Sequence, residues 1–203
     1  MGYLTTIFAS YLLGSSNLAL YLSLLKHVDF RGKGSGNLGA SNAAVLMGWP
    51  AGIAVGAHDI GKAALAVILA RLCWPELDHI GAVAGVSCVL GHIFPFYLKF
   101  KGGKGFAAFL GMTLALNWKF ALVVMALVVV VTVITDYIVA GTVTSILLVP
   151  SYLGYTHRSF VLAGILLIAT AVILCKHIEN FKRIYHGTEI GLRSTARGEN
   201  RQR

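Results

Sequence analysis

The stretch from Ile80 to Gly105, IGAVAGVSCVLGHIFPFYLKFKGGKG, decides the fold and points to the site. Residues 80–98 carry no Asp, Glu, Lys or Arg. A helix crosses the hydrocarbon core of a bilayer with about 20 apolar residues, about 17 at the lower limit, so this run reads as a span. Lys99, Lys101 and Lys104 follow at once, with Gly102, Gly103 and Gly105 gathered around the last lysine. A span that opens directly into a glycine–lysine loop sets a cationic, flexible backbone at a membrane surface.

The same apolar signature recurs along the chain. Residues 3–25, 120–135, 137–156 and 159–175 are further candidate spans, and 43–70 is apolar except for Asp59 and Lys62. Residues 106–117 are apolar but short, as a buried or re-entrant half-span would be. Of 203 residues, 57% are hydrophobic and 12% charged, against about 25% charged in soluble domains. A water-soluble globule, intrinsic disorder, a collagen-like fibre and a disulfide scaffold are thereby set aside. The expectation is an all-α polytopic membrane protein with seven transmembrane helices. Residues 1–190 would form a single integral membrane domain and residues 191–203 a polar cytoplasmic tail. The first apolar run has no basic segment before it and no clear small-residue cleavage site, so it reads as a retained helix.

Lysine and arginine set the orientation, because cytoplasmic loops are enriched in them. With the N-terminus outside, the inner side holds Lys26, Arg31, Lys33, Lys99, Lys101, Lys104 and the cations of the C-terminal region from Lys176 onward. The outer side keeps only Arg71, Lys119 and Arg158. This N-out, C-in scheme needs the short 106–117 segment to cross. The formal net charge of +9 suits cytoplasmic loops, anionic lipid or anionic substrates, and no nucleic-acid partner is expected. Cys73, Cys88 and Cys175 are scattered and form neither a CxxC nor a Cys/His cluster, so they read as small hydrophobes. No metal site is expected. The pairs Gly52/Gly56 and Gly81/Gly85 have the spacing that lets membrane helices approach closely.

Three polar clusters fall on the cytoplasmic side of this scheme. The first is Arg31-Gly32-Lys33-Gly34-Ser35-Gly36-Asn37-Leu38-Gly39-Ala40-Ser41-Asn42. Its glycines let backbone N–H groups converge on an anion, and Ser35, Asn37, Ser41 and Asn42 add side-chain donors. A helix starting near Asn42 would aim further donors at the same place. Gly34, Gly36 and Gly39 also spell GxGxxG, but no strand precedes them, so the dinucleotide reading fails. The competing reading is an ordinary glycine-rich loop. The second cluster is Gly91–Gly105, in which a flexible glycine backbone surrounds the point cation of Lys104, as a phosphate contact needs; a basic loop held near lipid head groups is its alternative. The third is His177, Asn180 and Arg183, spaced by three along one helical face and followed by Gly187 and Glu189. Its alternative is a basic juxtamembrane helix on anionic lipid. Asp59 and Lys62 face each other one helical turn apart, as a mutually neutralising pair or as support for the site. Gly56…Gly61-Lys62 approximates a Walker pattern but ends in Ala63 inside a span, and is rejected. No GxSxG elbow and no His-x4-Asp acyltransferase box are present. His27, His58, His79, His157 and His186 read as interfacial or packing residues.

With these strings in hand (GSGNLGASN at 34–42, GHIFPFYLKFKGGKG at 91–105, and His177/Asn180/Arg183/Gly187/Glu189), the chain resembles the bacterial membrane acyl-phosphate:glycerol-3-phosphate acyltransferases. The Tyr11–Ser15 run, Asp29-Phe30-Arg31 and Asp59/Lys62 also fit. The resemblance implies seven transmembrane helices in the bacterial cytoplasmic (inner) membrane and three cytoplasmic motifs. It implies acyl transfer from acyl phosphate to glycerol 3-phosphate, giving lysophosphatidate and phosphate, the first step of phospholipid synthesis. Ser35, Lys104, His177 and Asn180 would be catalytic. Gly34, Gly36, Asn37, Gly39, Ser41, Asn42, His92, Lys101, Gly102, Gly103, Gly105, Arg183, Gly187 and Glu189 would bind substrate. Acyl phosphate, glycerol 3-phosphate and the bilayer would be the partners of a monomer without cofactor. The chain departs from the family pattern at several positions. Ser41 stands where threonine is usual, Val45 where arginine is usual, Asp136 where a basic residue is usual and Val139 where serine is usual; Ser16-Asn17 replaces an Ile-Pro-like pair. The rival readings are a small-anion transporter and a diverged, weakly active paralogue.

Overall fold

The computed structural model describes residues 1–196, and these residues form helices with no strand. In chain order the helices are α1 (Gly2–Ser15), α2 (Leu18–Lys26), α3 (Ala40–Met47), α4 (Trp49–Cys73), α5 (Ile80–Ile93), α6 (Phe106–Leu116), α7 (Trp118–Thr135), α8 (Ile138–Thr156), α9 (Phe160–Lys176), α10 (Ile178–Tyr185) and α11 (Leu192–Ala196). The all-helical expectation holds, for the reason that lipid leaves backbone groups no partner except their own helix. The count of spans is coarser than the expected seven. Five segments are long and apolar enough to cross: Gly2–Lys26, Trp49–Cys73, Ile80–Leu98, Trp118–Thr135 and Ile138–Thr156. The pair α9 and α10, bent by 43°, is a sixth if its two helices count as one broken span. Helix α6, at 11 residues, is too short for a full span. Its Ala108–Thr113 stretch is buried instead.

Burial inside the bundle comes from α4–α6 and α7–α9, whose Phe109, Met112, Ile146, Leu153, Leu166 and Ile173 are enclosed. Between membrane helices close packing replaces the hydrophobic drive, and small residues permit it. Gly52 and Gly85 act as the sequence spacing suggests, against Ala44 and Met112. The tightest approaches lie elsewhere: a Cβ on Gly14 would strike the Cys88 backbone, one on Gly91 the Tyr11 carbonyl, and one on Gly111 the Ile60 carbonyl. These contacts lock α1 onto α5 and α6 onto α4.

Two breaks are satisfied in ways lipid demands. Pro150, inside α8, leaves the Ile146 carbonyl without its helical N–H. The Thr170 hydroxyl of α9 donates to that carbonyl at 2.7 Å. At Ser16–Asn17 the first apolar run is interrupted: the Asn17 side chain caps α2 through the Leu20 N–H at 2.9 Å, and the Ser16 carbonyl is left to accept from Lys62 at 2.6 Å. Of the cysteines only Cys88 is enclosed; Cys73 and Cys175 lie exposed on the outer faces of their helices. Small apolar groups need no burial when lipid is the solvent.

Candidate active site

A cavity of about 310 Å³ opens where the three polar clusters meet. Ser35, Asn37, Gly39 and Ser41 line it from the first cluster, His92, Lys104 and Gly105 from the second, and His177, Asn180 and Glu189 from the third.

The first loop is closed by a side chain. Asn42, buried, accepts from the Ser35 N–H through Oδ1 (2.9 Å) and donates to the Phe30 carbonyl through Nδ2 (2.9 Å). Gly34 and Gly36 turn with φ of 60° and 68°, a region where only glycine is unstrained; a Cβ on Gly34 would meet Asn42 Oδ1. Asn42 thus holds Ser35 at the cavity and does not line it. Helix α3 starts at Ala40, two residues before the expected point, with Gly39 as N-cap.

The second loop folds back on α5. The Gly102 and Gly103 N–H groups donate to the Ile93 (2.9 Å) and His92 (3.1 Å) carbonyls. Gly103 packs so closely on the His92 ring that a Cβ would collide with Nε2. The loop ends at Gly105, the N-cap of α6, with φ of 89°. Gly105, Phe106 and Ala107 reach the cavity, as do Ala40 and Ser41. Two helix N-termini therefore present unpaired N–H groups and positive dipole ends to one space. Lys101 stays outside: its side chain is exposed and its carbonyl accepts from Arg31 Nη2 at 2.5 Å.

Lys104 Nζ donates to Asn180 Oδ1. Asn180 Nδ2 donates to Glu189 Oε1 at 2.5 Å, and Arg183 Nε donates to Glu189 Oε2 at 2.6 Å. Glu189 so orients the amide that receives the lysine, and Arg183 neutralises Glu189 from outside the cavity. Gly187, at φ of 67°, makes the turn that returns Glu189 to α10. Lys104 keeps two more N–H donors for a ligand. Burial, then the nearby Arg183 charge, lower its ammonium to about 8. His177, buried, points Nδ1 at the Ile173 carbonyl at 2.8 Å. A carbonyl only accepts, so Nδ1 carries the proton and Nε2 is the atom left for proton exchange.

Beneath this lies a second charged group. Lys62 Nζ reaches Asp59 Oδ1 (2.8 Å), the Ser16 carbonyl (2.6 Å) and His92 Nδ1 (2.9 Å). An ammonium only donates, so His92 Nδ1 accepts and its Nε2 bears the hydrogen. His92 Nδ1 is also 3.3 Å from Asp59 Oδ1; the shorter lysine contact decides the tautomer. His58, expected as a packing residue, approaches Asp59 Oδ1 through Nδ1 (3.3 Å) and the Ser16 hydroxyl through Nε2 (3.1 Å).

Residues outside the three clusters also line the cavity. Thr132 of α7 and Ile138, Val139 and Thr142 of α8 line it, as does Val45 of α3. So do Ile190, Gly191, Leu192 and Thr195, although residues 191–203 read as a polar tail. Asp136 gathers this segment: its carbonyl accepts from the Leu192 N–H (2.8 Å) and its Oδ1 from the Arg193 N–H (2.9 Å). The carboxylate thus caps α11. Residues 197–203 of the expected tail lie outside the described residues.

Fold and site together define a multi-pass membrane protein with a cavity suited to anions at one mouth of its helices. The family described as "Glycerol-3-phosphate acyltransferase" matches residues 4–187, and the chain belongs to that family. A glycerol-3-phosphate acyltransferase of Prochlorococcus marinus (strain MIT 9301) is 37% identical over 196 residues, covering 93% of this chain and 97% of its own. One of Coxiella burnetii (strain CbuG_Q212) is 38% identical over 190 residues, with the same coverage of 93% and 97%. The crystal structure of PlsY (YgiH), an integral membrane glycerol 3-phosphate acyltransferase, in its glycerol 3-phosphate form superposes with a TM-score of 0.88 at 28% identity, covering 95% of this chain and 96% of that one. Its lysophosphatidic acid form gives a TM-score of 0.85 at 27% identity, covering 94% and 95%.

Proposed function

We propose that this protein transfers a fatty acyl group from acyl phosphate to glycerol 3-phosphate, releasing lysophosphatidate and inorganic phosphate. The observation that carries the reading is the convergence of Lys104, the Asn180–Glu189–Arg183 chain, His177 and two helix N-termini on one cavity. Family membership and the glycerol 3-phosphate and lysophosphatidic acid forms of PlsY support the same reaction.

Acyl phosphate brings its own leaving group, so the protein supplies positioning and charge. A hydroxyl of glycerol 3-phosphate attacks the acyl carbon, the acyl C–O bond to phosphate breaks, and phosphate departs with the bonding pair. The hydroxyl proton passes to His177 Nε2 and on to the released phosphate. Lys104 and the α6 N-terminus grip phosphate, with the Gly102, Gly103 and Gly105 backbone shaping the loop. Ser35, Asn37, Ser41 and the α3 N-terminus grip the other phosphate, and His92 Nε2–H adds a donor. Asn180 orients the substrate and is itself held by Glu189, Arg183 and the Gly187 turn; Asn42 and Lys101 act by holding their loops. Seven crossings, N-out and C-in, put all three clusters at the cytoplasmic face of a bacterial inner membrane, with residues 1–190 as the membrane domain of a monomer and residues 191–203 as its tail. The short α6 is then the remaining crossing.

Purified protein given acyl phosphate and labelled glycerol 3-phosphate should form labelled lysophosphatidate, and Lys104→Ala should lower turnover by about 10²–10³-fold, the usual loss for one electrostatic donor. Phosphate flux in sealed vesicles without product would replace the enzyme with an anion transporter.

A further inference from the structure

Thr132 is an uncommon residue in this molecule. Its side chain is buried, 7% exposed, and its hydroxyl is the one fully buried side-chain polar atom among the described residues without a hydrogen-bond partner. Hydroxyls on apolar helices ordinarily turn back to the carbonyl four residues earlier. Ser87, Thr113 and Thr142 do so here, to Val83, Phe109 and Ile138, at 2.7, 2.8 and 3.0 Å. Thr132 does not, and it lies on the wall of the cavity.

The neighbourhood holds the hydroxyl there. Gly141 of α8 passes so close to α7 that a Cβ on it would stand 2.8 Å from the Val128 carbonyl and 3.0 Å from Thr132 Oγ1. The absent side chain at Gly141 leaves room for the hydroxyl. A buried hydroxyl with no partner is destabilising, and native proteins satisfy nearly all such groups. A ligand oxygen in the cavity would satisfy this one.

The surroundings select the ligand. Ile138, Val139 and Val45 line the cavity beside Thr132 and carry no polar side-chain atom. The Thr142 hydroxyl already donates within its helix. The charged donor of the cavity, Lys104, already gives one hydrogen to Asn180. A neutral hydroxyl among apolar groups suits a neutral oxygen next to a hydrocarbon chain. We infer that Thr132 Oγ–H donates a hydrogen bond to the acyl donor, at the carbonyl end of acyl phosphate, and so helps to select and align that substrate. The inference rests on the acyl-transfer reading above. It makes the α7–α8 wall, with Val45 and Val139 also lining the cavity, the acyl side of the site.

The test is Thr132→Val, which keeps the shape and removes the hydroxyl, beside Thr132→Ser, which keeps the hydroxyl. Full-length protein in detergent or nanodiscs is assayed with palmitoyl phosphate and glycerol 3-phosphate varied in turn. Thr132→Val should raise the KM for palmitoyl phosphate by about tenfold, as one neutral hydrogen bond allows, and leave the KM for glycerol 3-phosphate within about twofold. Its melting temperature without substrate should match or exceed that of the parent, because an unpartnered hydroxyl has gone. Thr132→Ser should restore the KM for palmitoyl phosphate. Parent-like values for both substrates in Thr132→Val would overturn the inference, as would a rise confined to glycerol 3-phosphate, or a Thr132→Ser variant as impaired as Thr132→Val. Parent protein that makes no lysophosphatidate from these substrates would overturn the acyl-transfer reading itself, a result seen before any variant is compared.

Discussion

Two lysines sit in this protein within two different cages. Lys62, inside a membrane helix, uses all three of its N–H donors on Asp59, the Ser16 carbonyl and His92. Lys104, at the mouth, uses one on Asn180. The first cage is closed and charge-matched; the second is open, with its acid turned toward Arg183. Saturation of donors separates the two: Lys62 has none to spare, and Lys104 keeps two. The two cages are joined through His92, whose Nδ1 takes the Lys62 hydrogen while its Nε2 side abuts Gly103, next to Lys104.

The largest effect should come from breaking the closed cage. Lys62→Ala strands Asp59 in the bundle, and removing one partner of a buried pair costs about 3–5 kcal/mol. The melting temperature in detergent should collapse, while the pairwise replacement Asp59→Leu with Lys62→Met should recover much of it. If the single variant melts normally, the closed cage is not structural.

An intermediate effect should follow from Gly103→Ala, at the joint between the cages. The new Cβ meets His92 Nε2, and overpacking of this kind costs about 1–3 kcal/mol. Because the displaced loop carries Lys104, turnover should fall further than stability does. Comparing the activity loss with the shift in melting temperature checks this.

The smallest effect is in pH. Burial and Arg183 hold the Lys104 ammonium near 8, so its cation prevails below that pH and is lost above it. The value of kcat/KM, which reports the free enzyme, should fall by about tenfold per pH unit above 8. A Lys104→Arg variant, charged throughout, should show no such fall even if its plateau is lower. A parent profile flat to pH 10 would remove the open-cage argument for Lys104.

Much of the site was legible along the chain because its chemistry is local. The glycines of 34–39 and 102–105 shape loops through their own backbone, and His177, Asn180 and Arg183 share a face by helical periodicity alone. The part of the cavity lined by α7 and α8 was not legible. Thr132 and Val139 look like ordinary residues of apolar helices, and only the crossing of α7 and α8 at Gly141 puts Thr132 against the cavity. The contact of His58 with Ser16 gave no signal either, since the two lie 42 residues apart. Asp136 read as a lost cation; its use as a cap for α11 depends on where residues 191–196 fold.

From the order of its residues alone, this protein is a helical membrane protein with glycine-and-lysine loops at one surface, because lipid forces apolar runs into helices and pushes charges to the ends. Only the tertiary structure decided which polar groups are spent and which are free. A hydrogen bond is a matter of contact, and contact between distant segments cannot be read from spacing. The two lysines differ by what surrounds them, and Thr132 stands out because its buried hydroxyl has no hydrogen-bond partner among the described residues.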